Sequence, residues 1–213
     1  VSHEIKTPVT AINSAVQLID ENNCITSLQD KECFNIISYQ TKQINNLVND
    51  ILNISEIESE RNELKNNFQN INLNKIIKEV IDFAQPSDIV INFYSNDNIN
   101  CLGNERLITQ AITNLITNAV KYSSTEKIDI SLKQMKNFIS ISIKDYGIGI
   151  SEEHKDKIFE KFYRVDKARS RKFGGTGLGL SIVKNIIELH NDLIELKTAP
   201  NQGCEFIITL PNQ

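Results

Sequence analysis

An apolar repeat in the first part of the chain restricts the folds that this part can adopt. Isoleucine and valine recur at intervals of four, three, four and three residues, in Ile5, Val9, Ile12, Val16 and Ile19. After a break around residues 22–27, similar spacing returns beyond Asp30, in Ile37, Ile44, Leu47, Ile51 and Ile54. Such spacing is typical of helices that pack along one another. We therefore predict a helical hairpin, whose half-exposed seam favours pairing of two chains into a dimeric four-helix bundle.

The pattern changes near residue 71, where helices begin to alternate with short strands. Apolar periodicity and capping residues predict helices at 73–84, 104–123, 151–162 and 178–190, the third of them capped by Ser151. Short apolar or alternating runs predict strands at 88–95, 98–103, 127–135, 137–145, 193–199 and 204–210. Helices grouped on one face of such a mixed sheet make an α/β sandwich. The predicted fold is thus α plus α/β, with a helical domain at 1–66 and an α/β domain at 67–213.

The composition argues against several classes of protein. A formal net charge of −4 provides no general attraction to nucleic acid or to an anionic membrane. The four cysteines are widely scattered, which favours reduced thiols in a cytosolic compartment over disulfides or a zinc site. No apolar run reaches the length of a membrane span. The chain starts without methionine and inside a predicted helix, so we expect it to be a fragment of a longer protein.

The helix predicted at 104–123 carries three polar residues on one face. Asn114, Asn118 and Lys121 are four and three residues apart, which brings their side chains together. Asparagine is a poor helix former, its amide oxygen can bind Mg²⁺, and a nearby lysine can meet phosphate charge. In a chain rich in asparagine, solvated surface side chains would give the same pattern. The spacing alone leaves both interpretations open.

Two glycine-containing motifs follow this helix. DYGIGI at residues 145–150 ends a predicted strand, and its glycines permit a tight turn beside Asp145, which can accept a hydrogen bond from an amine. GGTGLGLS at residues 174–181 leads into a helix and offers backbone N–H groups to an anion. The second motif lacks the GxxxxGK[ST] pattern of a P-loop and does not follow a strand as a dinucleotide fingerprint does. Each motif is weak alone, but the motifs and the long helix together predict a nucleotide site.

Five stretches of the sequence resemble the conserved boxes of sensor histidine kinases. SHEIKTP resembles the H box, NLITNAVKYS the N box, DYGIGI the G1 box, IFEKFYRVD the F box and GGTGLGLSIV the G2 box. Their order and spacing match as well, and the resemblance covers essentially the whole chain. It implies a dimerisation and phosphotransfer domain followed by a GHKL-type ATP-binding domain with the Bergerat fold.

The resemblance implies roles for three residues of the first helix. His3 would be the phosphoacceptor, whose imidazole attacks the γ-phosphate of ATP. Glu4 would hydrogen-bond the other ring nitrogen and take its proton. Thr7 lies one turn after His3 and matches the HExxT pattern linked to phosphatase activity toward the partner, although a helix bend before Pro8 also explains it.

By the same resemblance, residues of the second domain would bind ATP and Mg²⁺. Asn118 would be the Mg²⁺ ligand, Asn114 would support it, and Asp145 would read the adenine amine. The other residues would meet phosphate oxygens, lie beside the nucleotide or shape the pocket and its lid: Lys121, Tyr122, Gly147, Gly149, Arg164, Gly175, Thr176, Gly177, Leu178 and Gly179.

Three positions depart from the family pattern outside the nucleotide site. The family often has two glycines where Asn191 and Asp192 follow His190, and Cys204 stands where serine or threonine is common. Asparagine tolerates the left-handed conformation, so a tight turn is still expected after His190. A small buried residue is expected at position 204, and His154 and His190 are expected to be structural or surface residues.

The leading hypothesis is a kinase core that autophosphorylates His3 with ATP and passes the phosphoryl group to an aspartate of a response regulator. Its partners would be a second copy and a receiver domain, without nucleic acid, and the missing upstream region would anchor this cytoplasmic portion in the bacterial plasma membrane. A GHKL-type ATPase, such as a chaperone or topoisomerase subunit, is the first alternative, but such proteins have a water-activating glutamate where Asn114 stands. A nucleotide-binding scaffold without turnover is the second alternative.

Overall fold

Helices form the amino-terminal part of the molecule. The computed structural model describes residues 2–21, 28–84, 89–95, 98–123, 127–165 and 175–212. Helix α1 spans Ser2–Glu21, α2 spans Leu28–Ser59, and a short α3 spans Arg61–Asn66. Because α1 and α2 lie against each other along their length, the predicted hairpin is confirmed. The predicted turn at residues 22–27 lies outside the described residues.

Part of the apolar surface of the hairpin is open to solvent within one chain, although Leu47 and Ile54 of the α2 repeat are buried. Val9 is 40% exposed and Val16 is 49% exposed, whereas Ala15 on a neighbouring face of α1 is buried. On α2, Phe34 and Leu52 are also exposed. Large apolar side chains left exposed on a pair of helices fit a face that meets another protein.

The remainder of the described chain is a layered α/β domain. Its helices are α4 (Leu73–Ala84), α5 (Glu105–Tyr122) and α6 (Gly179–Leu189). Its strands are β1 (Gln69–Asn72), β2 (Val90–Tyr94), β3 (Asn100–Gly103), β4 (Lys127–Gln134), β5 (Phe138–Asp145), β6 (Ile194–Thr198) and β7 (Cys204–Pro211). The helix predicted at 73–84 is found with those bounds.

Five of the strands form a mixed sheet in the order β2-β4-β5-β7-β6. The β2–β4 pair is parallel and the other pairs are antiparallel. Buried and less buried residues alternate along β4, β5 and β7, so one face of the sheet joins the core. There Ile130, Ile141 and Ile208 belong to the same apolar core as Ile112 and Leu115 of α5. The predicted sandwich of helices and a mixed sheet is confirmed.

The strand predicted at 98–103 forms, but it is not part of the main sheet. β3 pairs antiparallel with β1, and together they make a separate two-stranded sheet. β1 was not predicted, because QNIN is polar and short, and only Ile71 of its residues is buried. Its stability depends on tertiary pairing rather than on a local pattern.

The prediction of a helix at 151–162 is wrong. The structure has two short 3₁₀ turns, Glu152–His154 and Lys157–Phe159, and the Ser151 side chain caps neither. The chain is turned away from a helical path at Phe162, whose φ is 67° and whose N–H donates to the Gly177 carbonyl at 2.8 Å. Glu160 already has extended backbone angles, so the helical path is interrupted before this contact, which fixes the end of the segment.

The end of α6 is fixed by a buried histidine. His190 is 2% exposed; its Nε2 accepts from the Asn104 N–H at 3.1 Å, and its Nδ1 lies 2.7 Å from the Ile186 carbonyl. The ring also stacks on Phe68. Asn191 follows with a φ of 61°, which confirms the tight left-handed turn expected there. His190 is therefore a structural residue, as predicted.

Within the part of the chain that the structure describes, no helix is both long and apolar enough to cross a membrane.

Candidate functional site

A cavity of about 380 Å³ lies where α2 meets the α/β domain. Its walls come from α2, from α5, from the loop after β5, from the segment before α6 and from β7. Most of the residues predicted to bind nucleotide line it: Asn114, Asn118, Lys121, Tyr122, Asp145, Gly149, Arg164, Gly175, Thr176, Gly177 and Gly179. The fold thus brings together the N, G1 and G2 boxes, which are far apart in the sequence.

A buried carboxylate faces this cavity. Asp145 ends β5 and is only 4% exposed. Its Oδ1 accepts from the N–H of Gly147 at 2.8 Å and from the N–H of Cys204 at 3.2 Å. Burial raises the pKa of Asp145, and the two backbone donors oppose that rise. Because both bonds go to Oδ1, the second oxygen is available to accept from a ligand amine.

Helix α5 supplies the polar wall of the cavity. Asn104 caps it, with its side chain accepting from the Leu107 N–H, and the buried stripe of the helix packs into the core. The opposite edge presents Asn114, Asn118 and Lys121 to the cavity. Asn114 donates to the Gly179 carbonyl at 3.3 Å and so connects α5 to the start of α6.

Lys121 is held in a partly desolvated position. Burial lowers the pKa of its ammonium group, and the nearby charge of Asp50 counteracts that effect. A lysine that is poorly hydrated and faces a cavity is a strong site for an anionic ligand.

The glycines of the G1 box are required by close backbone packing. Gly149 has a φ of +65°, and a Cβ there would lie 1.9 Å from the Ala199 carbonyl oxygen. A Cβ on Gly147 would lie 2.0 Å from the Tyr122 carbonyl oxygen. Gly147 does not line the cavity itself. Its contribution is to let the loop after Asp145 pack against the end of α5.

The G2 box reaches the cavity through its first described residues. Gly175, Thr176 and Gly177 line it, while residues 166–174 lie outside the described part of the chain. Leu178 was also predicted to bind nucleotide, but its side chain is fully buried in the core and does not line the cavity. Its backbone N–H donates to the Thr176 hydroxyl at 3.2 Å. The Leu178 side chain therefore anchors the loop in the core, and its predicted part in nucleotide binding stays a prediction.

Several residues of the cavity wall were not predicted. Asn46, Asn49 and Asp50 of α2 reach it from the helical hairpin. No local pattern in the sequence marks them, because their position depends on how α2 packs on the α/β domain. Apolar side chains also line the cavity, including Ile148 and Phe206. A cavity that combines apolar side chains with convergent polar and charged groups is suited to a small molecule with an apolar and an anionic part.

The predicted phosphoacceptor region lies on α1. His3 and Glu4 are in the first turns of the helix, and their side chains are outside the described part of the structure. Thr7, one turn later, has an exposed side chain.

Comparison with known families and structures agrees with this architecture. Residues 1–60 match the family model described as His Kinase A (phospho-acceptor) domain. Residues 103–213, just over half of the chain, match the model described as histidine kinase-, DNA gyrase B- and HSP90-like ATPase.

Individual relatives cover both parts of the chain. Sensor protein kinase WalK of Staphylococcus epidermidis is 39% identical over 99% of this chain, which corresponds to 35% of that protein. A Staphylococcus aureus WalK is 37% identical over 99% of this chain and 52% of its own length. The chain thus spans about a third to a half of these curated relatives.

Solved structures of histidine kinases share the fold. Histidine kinase ThkA, solved in complex with response regulator protein TrrA, superposes over 100% of this chain and 60% of its own, with a TM-score of 0.79 and 26% identity. The catalytic domain of ThkA covers 68% of this chain and 95% of its own, with a TM-score of 0.60 and 31% identity. Together with the two family matches, these similarities show that the chain belongs to the sensor histidine kinase family.

Proposed function

We propose that this chain is the kinase core of a two-component sensor, which phosphorylates its own His3 with ATP and passes the phosphoryl group to an aspartate of a response regulator. The observation that carries the proposal is the cavity in which Asp145, Asn118 and Lys121 converge. It lies in the domain that matches a family of ATPases, and the chain also contains a phospho-acceptor domain match that includes His3. The proposed domains are 1–66 for dimerisation and phosphotransfer and 67–213 for ATP binding.

The proposed reaction is an in-line phosphoryl transfer. A neutral imidazole nitrogen of His3 forms a bond to the γ-phosphorus while the bond between that phosphorus and the β,γ-bridging oxygen breaks, and ADP leaves. Glu4 accepts the hydrogen bond of the other ring nitrogen, which fixes the tautomer and takes up the proton released from the imidazole. In the second step the phosphoryl group moves from His3 to an aspartate carboxylate of the receiver domain, and the imidazole is restored.

The described cavity fits an adenine nucleotide. The free oxygen of Asp145 is suited to accept from the exocyclic amine of adenine, beside the apolar wall formed by Ile148 and Phe206. Lys121 and Arg164 are suited to meet phosphate oxygens, with Tyr122 beside the nucleotide and the glycines 147, 149, 175, 177 and 179 shaping the loops. Recognition of the base and of the phosphates then comes from different parts of the chain.

Asn118 is the proposed protein ligand for Mg²⁺, supported by Asn114. The described residues contain no cluster of three His, Cys, Asp or Glu side chains that could hold a metal. The amide oxygens of Asn118 and Asn114 fit Mg²⁺ in a nucleotide site, because this ion keeps several waters and binds through one or two protein oxygens and the phosphates. When bound, the ion would neutralise phosphate charge during transfer.

The helical hairpin is the part of the chain proposed to contact its partners. We infer that two chains pair through the exposed seam that includes Val9 and Val16 of α1, and that the hairpin also presents His3 to the receiver domain. The relative ThkA is solved with a response regulator, which supports a receiver domain as the second partner. Anchoring of the whole protein in the bacterial plasma membrane, with this portion in the cytoplasm, is part of the same proposal.

A second activity is proposed for Thr7. Its exposed side chain on α1 is suited to position a water against a phosphorylated receiver domain, giving a phosphatase. The Thr7→Ala variant should then retain autophosphorylation and lose dephosphorylation of the regulator.

The alternative of a water-hydrolysing ATPase is disfavoured by one observation. Asn114 lies in the cavity wall and donates its amide to the Gly179 carbonyl, and an amide cannot act as the general base that activates water. A nucleotide-binding scaffold without turnover would share the cavity and differ only in reactivity.

The decisive experiment is incubation with γ-labelled ATP and Mg²⁺, with His3→Gln as the matched control. We expect a label that is labile in acid, stable in alkali and absent from the His3→Gln variant. Asn118→Ala should reduce both ATP binding and labelling. Saturable ATP binding without any label would refute the kinase proposal in favour of a scaffold. Steady release of inorganic phosphate unaffected by His3→Gln would favour an ATPase.

A further inference from the structure

A carboxylate from the helical hairpin lies in the wall of the proposed nucleotide site. Asp50 is on α2, and its Oδ2 accepts a hydrogen bond of 2.7 Å from the Thr176 hydroxyl. It lines the same cavity as Lys121, and the opposite charges of the two side chains attract each other. The Thr176 hydroxyl in turn accepts from the Leu178 N–H, so Asp50 is connected to the loop that begins α6.

Thr176 and Lys121 are also groups that would meet the phosphates of a bound nucleotide. Asp50 accepts the hydrogen bond of Thr176 and attracts the charge of Lys121. An anionic phosphate would make the same two interactions. Two anions in one partly desolvated cavity repel each other over several ångströms. Asp50 is therefore placed as a competitor of the phosphates rather than as a ligand for them.

Other acidic residues of α2 contact the α/β domain outside the cavity. Glu58 accepts from Lys161 at 2.6 Å, and Glu56 accepts from Arg106 at 2.5 Å. Neither glutamate lines the cavity. The same helix thus provides one carboxylate inside the site and two outside it. Variants of the two kinds can therefore distinguish an effect of charge near the phosphates from an effect on the docking of α2.

We propose that Asp50 is a specificity-determining residue that opposes nucleotide binding increasingly with the number of phosphates, so that a nucleoside triphosphate has to displace it from Thr176 and Lys121. This inference rests on the proposed nucleotide site. It assigns a role in nucleotide affinity to a residue of the phosphotransfer domain that lies outside all five sequence boxes.

The test is calorimetric titration of the chain with adenosine, ADP and the non-hydrolysable triphosphate AMPPNP, each with Mg²⁺. Asp50→Asn keeps the shape of the side chain and an oxygen that accepts from Thr176, and it removes only the charge. We expect this variant to bind AMPPNP about tenfold more tightly than the native chain, because one repulsion between partly buried charges is removed. The gain should be smaller for ADP and absent for adenosine.

Glu58→Gln is the matched control, because it removes the same charge from the same helix and weakens a docking contact without altering the cavity wall. We expect it to leave the affinity ratio of AMPPNP to adenosine as in the native chain. An equal gain in both variants, or unchanged or weaker triphosphate binding in Asp50→Asn, would overturn the inference while leaving the proposed function intact. Absence of nucleotide binding by the native chain would instead contradict the proposed function and the inference together.

Discussion

The buried His190 predicts a specific dependence of stability on pH. Burial lowers the pKa of this imidazole below its ordinary value of 6.5, and the charge of Lys65 lowers it further, while the hydrogen bond to the Ile186 carbonyl opposes the shift. Because Nε2 accepts from the Asn104 N–H, the native fold requires the neutral ring with its proton on Nδ1. Protonation of Nε2 would place two donors against each other inside the core.

The sign and size of the effect follow from proton linkage. The native pKa is lower than that of the unfolded chain, so the stabilisation is complete above pH 6.5 and is lost as the pH falls from 6.5 toward the native pKa. Within that window the unfolded chain binds one more proton than the native protein. The free energy of unfolding should therefore decrease by up to about 1.4 kcal/mol per pH unit, against a total of about 5–15 kcal/mol for a typical domain.

The assay is urea unfolding followed by circular dichroism between pH 8 and pH 5 in the native chain and in two variants. His190→Gln can still donate and accept but does not titrate, so its unfolding free energy should lose this slope. His154→Gln, at a half-exposed histidine that contacts Tyr163, should keep it. Equal slopes in the native chain and in His190→Gln, or a native His190 pKa above 6.5 in a nuclear magnetic resonance titration, would refute the reasoning.

Two further predictions concern a glycine pair and an acid-sensitive carboxylate. Gly149→Ala should reduce the free energy of unfolding by about 2 kcal/mol or more in urea, because of its positive φ and the nearby carbonyl. The matched Gly179→Ala, whose Cβ would have no neighbour closer than 3.8 Å, should change it by less than about 1 kcal/mol. Burial alone would raise the pKa of Asp129, but hydrogen bonds from donors including Tyr146 bring it to about 2. The part of the free energy of unfolding that depends on this carboxylate should be lost between about pH 4 and pH 2 in the native chain but not in Asp129→Asn. Parallel curves of unfolding free energy against pH for the two proteins would contradict this prediction.

Local patterns predicted those elements whose own sequence shows which face is buried. Residues 73–84 carry a strongly one-sided apolar pattern, and the helix forms with those bounds. The pattern at 151–162 also predicted a helix, yet the structure has two 3₁₀ turns and an extended Glu160 there, followed by a backbone contact between Phe162 and Gly177. β1 went unpredicted because its four residues gain their order from pairing with β3.

The same distinction applies to the candidate site. The residues of the N, G1 and G2 boxes could be identified because each box is a short local motif, whereas the burial of the Leu178 side chain in the core could not. The contribution of α2 could not be predicted, since it depends on how two domains dock. No local signal in the sequence specifies that arrangement.

The docking of α2 combines a buried apolar contact, which includes Ile54 and Ile57, with ion pairs that are individually weak. The Lys161–Glu58 pair has side chains that are 47% and 54% exposed, and those of Arg106 and Glu56 are 51% and 34% exposed. Exposed pairs of this kind contribute about 0–1 kcal/mol each. The repulsion expected between Asp50 and a bound triphosphate is of similar size, since a tenfold change in affinity corresponds to about 1.4 kcal/mol. The repulsion is therefore comparable with either ion pair, but the buried apolar contact of α2 opposes any displacement as well. The hairpin residues of the site owe their position to this packing between domains, which no short sequence motif marks.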